Sequence, residues 1–162
     1  MAKTDGVHVI GLIADTHGQL RAAVHEAFRG VELILHAGDV GGDDILDELA
    51  LIAPVEAVYG NTDTPGNSRL QSHIVREVDG VVIQVQHGHE SGRLTADALL
   101  ERFNAGVIVY GHTHKQSVTR REGRLVINPG AAGPRRFHLM PSVALLTIRD
   151  GEARVEIVSL TT

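Results

Sequence analysis

Up to about residue 105 the chain alternates short apolar, β-branched runs with amphipathic ones; from Val107 onward the amphipathic runs cease. That switch constrains the fold more than any other feature. VHVIGLIAD reads as a strand and QLRAAVHEAFRG as a helix closed by Gly30. VELILHAGD and DDILDELALIA repeat the pair, with Asp43 or Asp44 as the helix cap. VEAVYGN is a third strand, and TDTPGNSRLQS is a loop by composition. HIVREVDGVVIQVQHG then reads as a hairpin turning at Asp79-Gly80, and TADALLERFNA as a helix capped by Thr95 that leads into VIVYGHTH. Two further hairpins follow, turning near Glu122-Gly123 and at Asp150-Gly151. Alternating βα units succeeded by hairpins predict an α/β sandwich: a mixed sheet carrying helices, packed on a second, more antiparallel sheet. No linker or repeat interrupts residues 1–162, so one domain is expected, burying roughly two-thirds of its unfolded surface.

With aromatic residues at 3% and no tryptophan, the core has to be built from Val, Ile, Leu and Ala. The absence of cysteine excludes disulfides, thiolate metal sites and thiol nucleophiles. The apolar run near the N-terminus is too short and interrupted for a signal peptide or membrane span, and a cytoplasmic protein is expected. A net charge of -5 argues against a broad nucleic-acid surface, so nucleic acid is not an expected partner. The basic residues Lys115, Arg120, Arg121, Arg124, Arg135 and Arg136 are read as a solvated hairpin face.

The chemistry gathers at strand ends. The first strand ends in Asp15, followed by Thr16 and His17; the second ends at Asp39 and the third at Asn61. QHGH brings His87, and YGHTH brings His112 and His114, two imidazoles at i and i+2 that point the same way in extended chain. Each motif alone has a simpler use as a helix cap or turn. Five strands each ending in a carboxylate, carboxamide or imidazole are a different matter, because ligands sit outside the carboxyl ends of strands in open α/β sheets. Oxygen from Asp15, Asp39 and Asn61, nitrogen from His17, His87, His112 and His114, and no sulfur suit Mn, Fe, Co, Ni or Zn better than Ca or Mg. Seven ligands exceed one zinc and suit two ions about 3.5–4 Å apart sharing a carboxylate.

The ordered set D-x-H, G-D, G-N-x-D, H-G-H and G-H-T-H resembles the calcineurin-like metallophosphoesterase superfamily. Its small size and the INPG after the hairpin resemble the compact YfcE-type phosphodiesterase branch. The resemblance implies a four-layer αββα sandwich with a two-metal centre at the sheet edge, Mn being the first choice of ion. It implies that Asp15, His17, Asp39 and His114 hold one ion. Asp39, Asn61, His87 and His112 would hold the other, making Asp39 the bridge. The implied chemistry is hydrolysis of small phosphodiesters by a hydroxide bound at that centre; His89, next after His87 in H-G-H, is read as lining the substrate pocket or orienting a ligand, and as catalytic beside Asp39 and Asn61. A homodimer or homotetramer is also implied. Two rivals stand beside this reading: a protein-binding scaffold of the same fold, as in a retromer subunit, and a nuclease of the same superfamily.

Some residues are assigned by their surroundings alone. His36, before AGD, is read as a buried packing or supporting histidine, and Asp63 as a hydrogen-bonding brace for a loop or ligand. Asn128 and Gly130 are read as a turn beneath the metals. His8, His25, His73 and His138 stand outside every motif. HESGR lacks the second histidine of H-E-x-x-H, and no P-loop, G-x-S-x-G or G-x-G-x-x-G is present. Thr62 stands where many superfamily phosphatases carry a histidine that protonates the leaving oxygen, and a threonine hydroxyl is a poor general acid.

Overall fold

The structure is a computed structural model that describes residues 6–135 and 138–161. The first five residues of the N-terminal stretch and Arg136 of the basic group lie outside the described residues. In chain order the elements are β1 (Val7–Ile13), α1 (Ala23–Ala27), β2 (Leu33–His36), α2 (Asp43–Ala50), β3 (Val55–Val58), β4 (Leu70–Gln71), β5 (Ile74–Val78), β6 (Val81–Val85), α3 (Ala96–Arg102), β7 (Val107–Val109), β8 (Ser117–Arg121), β9 (Arg124–Asn128), β10 (Ser142–Arg149) and β11 (Glu152–Ser159). They form two sheets, β11-β10-β1-β2-β3-β4 and β5-β6-β7-β9-β8.

Both sheets are mixed. β1 to β4 run parallel, and β10 closes antiparallel on β1; in the second sheet β6, β7 and β9 are parallel between two antiparallel edges. The two late hairpins divide between the sheets, β8-β9 in the second and β10-β11 in the first. Three buried clusters separate four layers. Ile10, Leu12, Leu35, Ile83, Val109 and Leu146 fill the space between the sheets. Phe28, Ile34, Ile45, Leu49 and Val143 pack α1 and α2 on the first sheet. Leu99, Ile108, Tyr110 and Val126 pack α3 on the second. The expected αββα sandwich is present. No helix among the described residues is long and apolar enough to cross a membrane.

Several local expectations hold. The three hairpin turns carry positive φ at both central residues, Asp79-Gly80, Glu122-Gly123 and Asp150-Gly151, as the tightest hairpins require. Thr95 Oγ1 accepts the Ala98 N–H at 3.2 Å and caps α3.

Others are corrected. The helix expected over residues 19–30 contracts to the five residues of α1, because Gln19 to His25 turn by i→i+3 bonds while the Arg21 Nε donates to the Gly133 carbonyl at 3.1 Å. Neither Asp43 nor Asp44 caps α2; Gly42 occupies that position, and Asp43 instead accepts from Asn67 Nδ2 at 2.8 Å, serving the loop. That loop also carries β4, a two-residue strand on β3 that its Gly, Pro and Asn content concealed. Of the basic residues, Lys115, Arg120, Arg121 and Arg135 are exposed as a solvated face would be, whereas Arg124 is half-buried and bonds the carbonyls of Leu100 in α3 and Ala105 just after it; Arg120 bonds that of Ala153.

Candidate metal centre

All five ligand-bearing strand ends meet at one edge of the sandwich, and the backbone makes them meet. The loop after β1 is zipped to the loop after β2: the N–H groups of Asp15, His17 and Gly18 donate to the carbonyls of Gly38, Asp39 and Val40, each at 2.9 Å. The second sheet joins through Gly111 N–H to the His87 carbonyl at 3.0 Å and His112 N–H to Asp15 Oδ2 at 3.1 Å. Asn128 lies underneath. Its Nδ2 donates to the Gly111 carbonyl and Thr113 Oγ1, and its Oδ1 accepts from Gly130, the structural turn expected of INPG.

Among the described residues, eight other than glycine have positive φ, three of them in the hairpin turns. The remaining five are Asp15, His17, Asp39, His112 and His114. A left-handed backbone costs a side-chain-bearing residue about 1–2 kcal/mol. Its concentration here points to residues kept for their side chains. Glycines provide the clearance. A Cβ at Gly38 would lie 2.7 Å from His87 Nδ1, and one at Gly60 would collide with Asp39 Oδ1.

The side chains converge. His17 Nε2 lies 3.3 Å from His114 Nε2, 3.8 Å from Asp15 Oδ1 and 3.6 Å from Asp39 Oδ2. His87 Nε2 lies 3.3 Å from Asp39 Oδ2, 3.1 Å from Asn61 Oδ1 and 3.9 Å from Asp15 Oδ1. Two close groups result, Asp15 with His17 and His114, and Asp15 with Asp39 and His87. Asp15 is common to both, while Asp39 reaches both His17 and His87 through one oxygen. His112 belongs to neither close group; its ring centroid is 5.1 Å from that of His87, and the residue is exposed. The set of oxygen and imidazole donors without sulfur fits a borderline divalent ion.

Electrostatics follow from the packing. Burial alone would raise the Asp39 carboxyl, but hydrogen bonds from His87 and the Thr62 backbone outweigh it and hold it well below the usual carboxylate range. Burial pushes His87 down, yet its bond to Asp39 and the charges of Asp15 and Asp39 leave it raised. Partial desolvation, though the residue is exposed, and the charge of His87 lower His112.

Beneath the centre, His36 is fully buried and its pKa is pushed down to about 3 by desolvation. The Gly38 N–H donates to its Nδ1 at 3.1 Å, so Nε2 carries the proton and donates to Thr16 Oγ1 at 3.0 Å, which in turn donates to the Val40 carbonyl at 2.7 Å. This chain joins the D-T-H and A-G-D segments through a neutral imidazole, in keeping with the supporting role expected of His36. Asp63 likewise accepts the N–H groups of Val40, Gly41 and Gly60. His8 and His25 pair with Glu32 and Glu48, away from the centre.

Sequence reasoning missed Thr16 as a link between loops, and also Tyr59, Ser72 and Gln86 in clefts beside the centre. A tyrosine directly before G-N in a chain with so few aromatics was the available signal. A further cleft, of about 690 Å³, lies elsewhere, beside the turns at Gly80, Gly123 and Gly151, and none of the strand-end residues lines it.

Residues 9–151 match the family model described as the calcineurin-like phosphoesterase superfamily domain. A probable metallophosphoesterase of Methanothermobacter thermautotrophicus is 39% identical over 153 residues, covering 89% of this chain and 87% of that protein. A phosphodiesterase of Methanocaldococcus jannaschii is 30% identical over 139 residues, covering 75% and 82%. Among solved structures, Vps29 of Cryptosporidium parvum superposes with a TM-score of 0.78 at 21% identity, covering 96% of this chain and 99% of that one, a likeness of fold. An archaeal phosphodiesterase superposes with a TM-score of 0.72 at 25% identity, covering 93% and 99%.

Proposed function

The chain belongs to the calcineurin-like phosphoesterase superfamily, and from that premise we propose that it hydrolyses small phosphodiesters at a centre for two divalent ions, manganese foremost. One observation carries the reading: a single oxygen, Asp39 Oδ2, stands 3.6 Å from His17 Nε2 and 3.3 Å from His87 Nε2. In this reading Asp15, His17, Asp39 and His114 hold one ion, and Asp39, Asn61, His87 and His112 the other. The ions would offset charge on the phosphoryl oxygens and lower the pKa of the attacking water toward neutrality.

The protein's own groups set the geometry. His87 Nδ1 donates to the Ala37 carbonyl at 2.8 Å, which leaves Nε2 as the ligating nitrogen. The Thr62 N–H holds Asp39 Oδ1 at 2.9 Å, so Oδ2 is the oxygen presented to the centre. His89 stands beside the ligands, its ring 5.4 Å from His87 and 6.5 Å from His112, within reach of an ester oxygen. Thr62 supplies no usable acid, so an ester whose leaving group departs without a proton is the favoured substrate.

The test joins metal titration to turnover. Calorimetry should find two Mn²⁺ per chain, and bis-p-nitrophenyl phosphate should be cleaved. Asp39→Asn should weaken both sites and abolish turnover, whereas His17→Ala and His87→Ala should each disturb mainly one. An Asp39→Asn protein that kept two ions and normal turnover would refute the shared-ligand assignment. Tight ion binding without hydrolysis of any ester would favour the scaffold, since a Vps29 structure in complex with zinc has the same fold.

A further inference from the structure

Two clefts open beside His89, the one residue among those described that lines both. The first, of about 390 Å³, runs from His87 across Gln84 and Gln86 to Ser72, His73 and Arg102. The second, of about 400 Å³, runs from Asn61 under Tyr59 to Pro65 and Gly66. Each is within the size range of small-ligand pockets, and each begins at a residue assigned above to the second ion. A phosphoryl group at the centre would therefore have one ester arm on either side of the His89 ring.

The clefts differ in chemistry. The first presents the carboxamides of Gln84 and Gln86, the hydroxyls of Ser72 and Ser91, the Glu90 carboxylate and the Arg102 guanidinium. Gln86, 6% exposed, anchors its Nε2 on the Val109 carbonyl at 3.0 Å, and its Oε1 has no hydrogen-bond partner. Ser72 Oγ lies 3.1 Å from His73 Nδ1, so hydroxyl and imidazole act together there. An arm rich in hydroxyl groups can both donate to and accept from such a wall. The second cleft offers an aromatic face and a proline: Tyr59 stands edge-on to His89 with ring centroids 6.0 Å apart. With three Phe, two Tyr and no Trp in the chain, one of the two tyrosines is placed here, while Tyr110 is buried under α3. A flat, apolar arm suits that surface.

We propose that the clefts flanking His89 are separate subsites for the two arms of an unsymmetrical phosphodiester, a hydroxyl-rich arm of the glycerol or sugar kind against Gln84, Gln86 and Arg102, and a flat aromatic arm against Tyr59. The proposal rests on the phosphodiesterase reading, and its test separates the two. p-Nitrophenyl glyceryl phosphate and p-nitrophenyl methyl phosphate release the same phenolate, so only the retained arm differs. The glyceryl ester should have the higher kcat/KM by about tenfold or more, equivalent to about 1.4 kcal/mol. Arg102→Ala combined with Gln84→Ala should bring that ratio to within about twofold of one. In the zinc-loaded protein, phenyl phosphate should shift the Tyr59 ring resonances and leave those of Tyr110 in place. Calorimetry should show glyceryl phosphate binding more tightly than methyl phosphate. Equal kcat/KM for the two esters, a ratio untouched by the double substitution, or an unmoved Tyr59 signal overturns the proposal. If no diester is hydrolysed, the phosphodiesterase reading fails, and the ring shifts and calorimetry still decide whether the clefts select these arms.

Discussion

Acid should loosen this protein through His36 before it reaches the carboxylates. The imidazole titrates near 6.5 in the unfolded chain and at about 3 in the folded one, where the Gly38 N–H occupies Nδ1 and no proton can be added without breaking that bond. The sign follows from linkage. Between the two values the unfolded chain binds the extra proton, so stability is full above the unfolded pKa and is lost progressively as pH falls toward 3. From pH 7 to pH 5 the loss attributable to His36 is about 2 kcal/mol. His36→Asn supplies the control: its carboxamide oxygen can accept from Gly38 but does not titrate. At pH 7 it should cost about 1–3 kcal/mol, for the lost bond to Thr16 and the space vacated by the ring. At pH 5 the gap between wild type and variant should narrow by about 2 kcal/mol, because only the wild type has lost ground. His87 and His112 titrate in both proteins, and their contributions cancel in the difference. The assay is urea unfolding followed by far-ultraviolet circular dichroism in the presence of a chelator, at pH 5, 6, 7 and 8. A gap of equal size at pH 5 and pH 7 would refute the buried neutral imidazole.

His89→Ala should retain both ions yet lose turnover by about 10²-fold; loss of one ion on metal analysis would make His89 a ligand instead. Across substituted phenyl phosphodiesters under saturating Mn²⁺, turnover should fall steeply as leaving-group pKa rises, because Thr62 gives no proton. A flat plot with chemistry rate-limiting would reveal an efficient acid. Gly60→Ala places a Cβ against Asp39 Oδ1 and should weaken ion binding about tenfold or more while the fold persists; unchanged affinity by calorimetry would show that the loop yields.

The sequence made the layered sandwich legible because strand and helix runs differ in hydrophobic period, and the switch after Val107 survives without tertiary information. Which sheet received each late hairpin was not legible. β8-β9 and β10-β11 have similar turns and alternation, and only packing against β7 or β1 distinguishes them. The site was legible as a set of residues, since ligating types closed five strands in succession. Its geometry was less so. That Asp15 joins both close groups, and that His112 joins neither, depends on how the two strand-end loops are zipped together. Gln86 escaped notice because a glutamine at a strand end is ordinary in sequence and acquires meaning only from the cleft it lines.

The left-handed backbone at Asp15, His17, Asp39, His112 and His114 bears on any attempt to make this protein more heat-resistant. Glycine adopts that conformation without the steric penalty of a Cβ, so a search guided by stability alone would favour it at the histidines, by about 1 kcal/mol where the side chain adds little else, whereas Asp15 and Asp39 also accept the His112 and Thr62 N–H groups. Such exchanges at the histidines would relax the backbone and strip the rim of its imidazoles. Thermostabilising substitutions should therefore be sought in the outer layers, at sites such as the exposed Leu51 after α2 or Val75 on β5, and these five positions held fixed. These left-handed positions at the sheet edge are the ones that an engineer should leave alone.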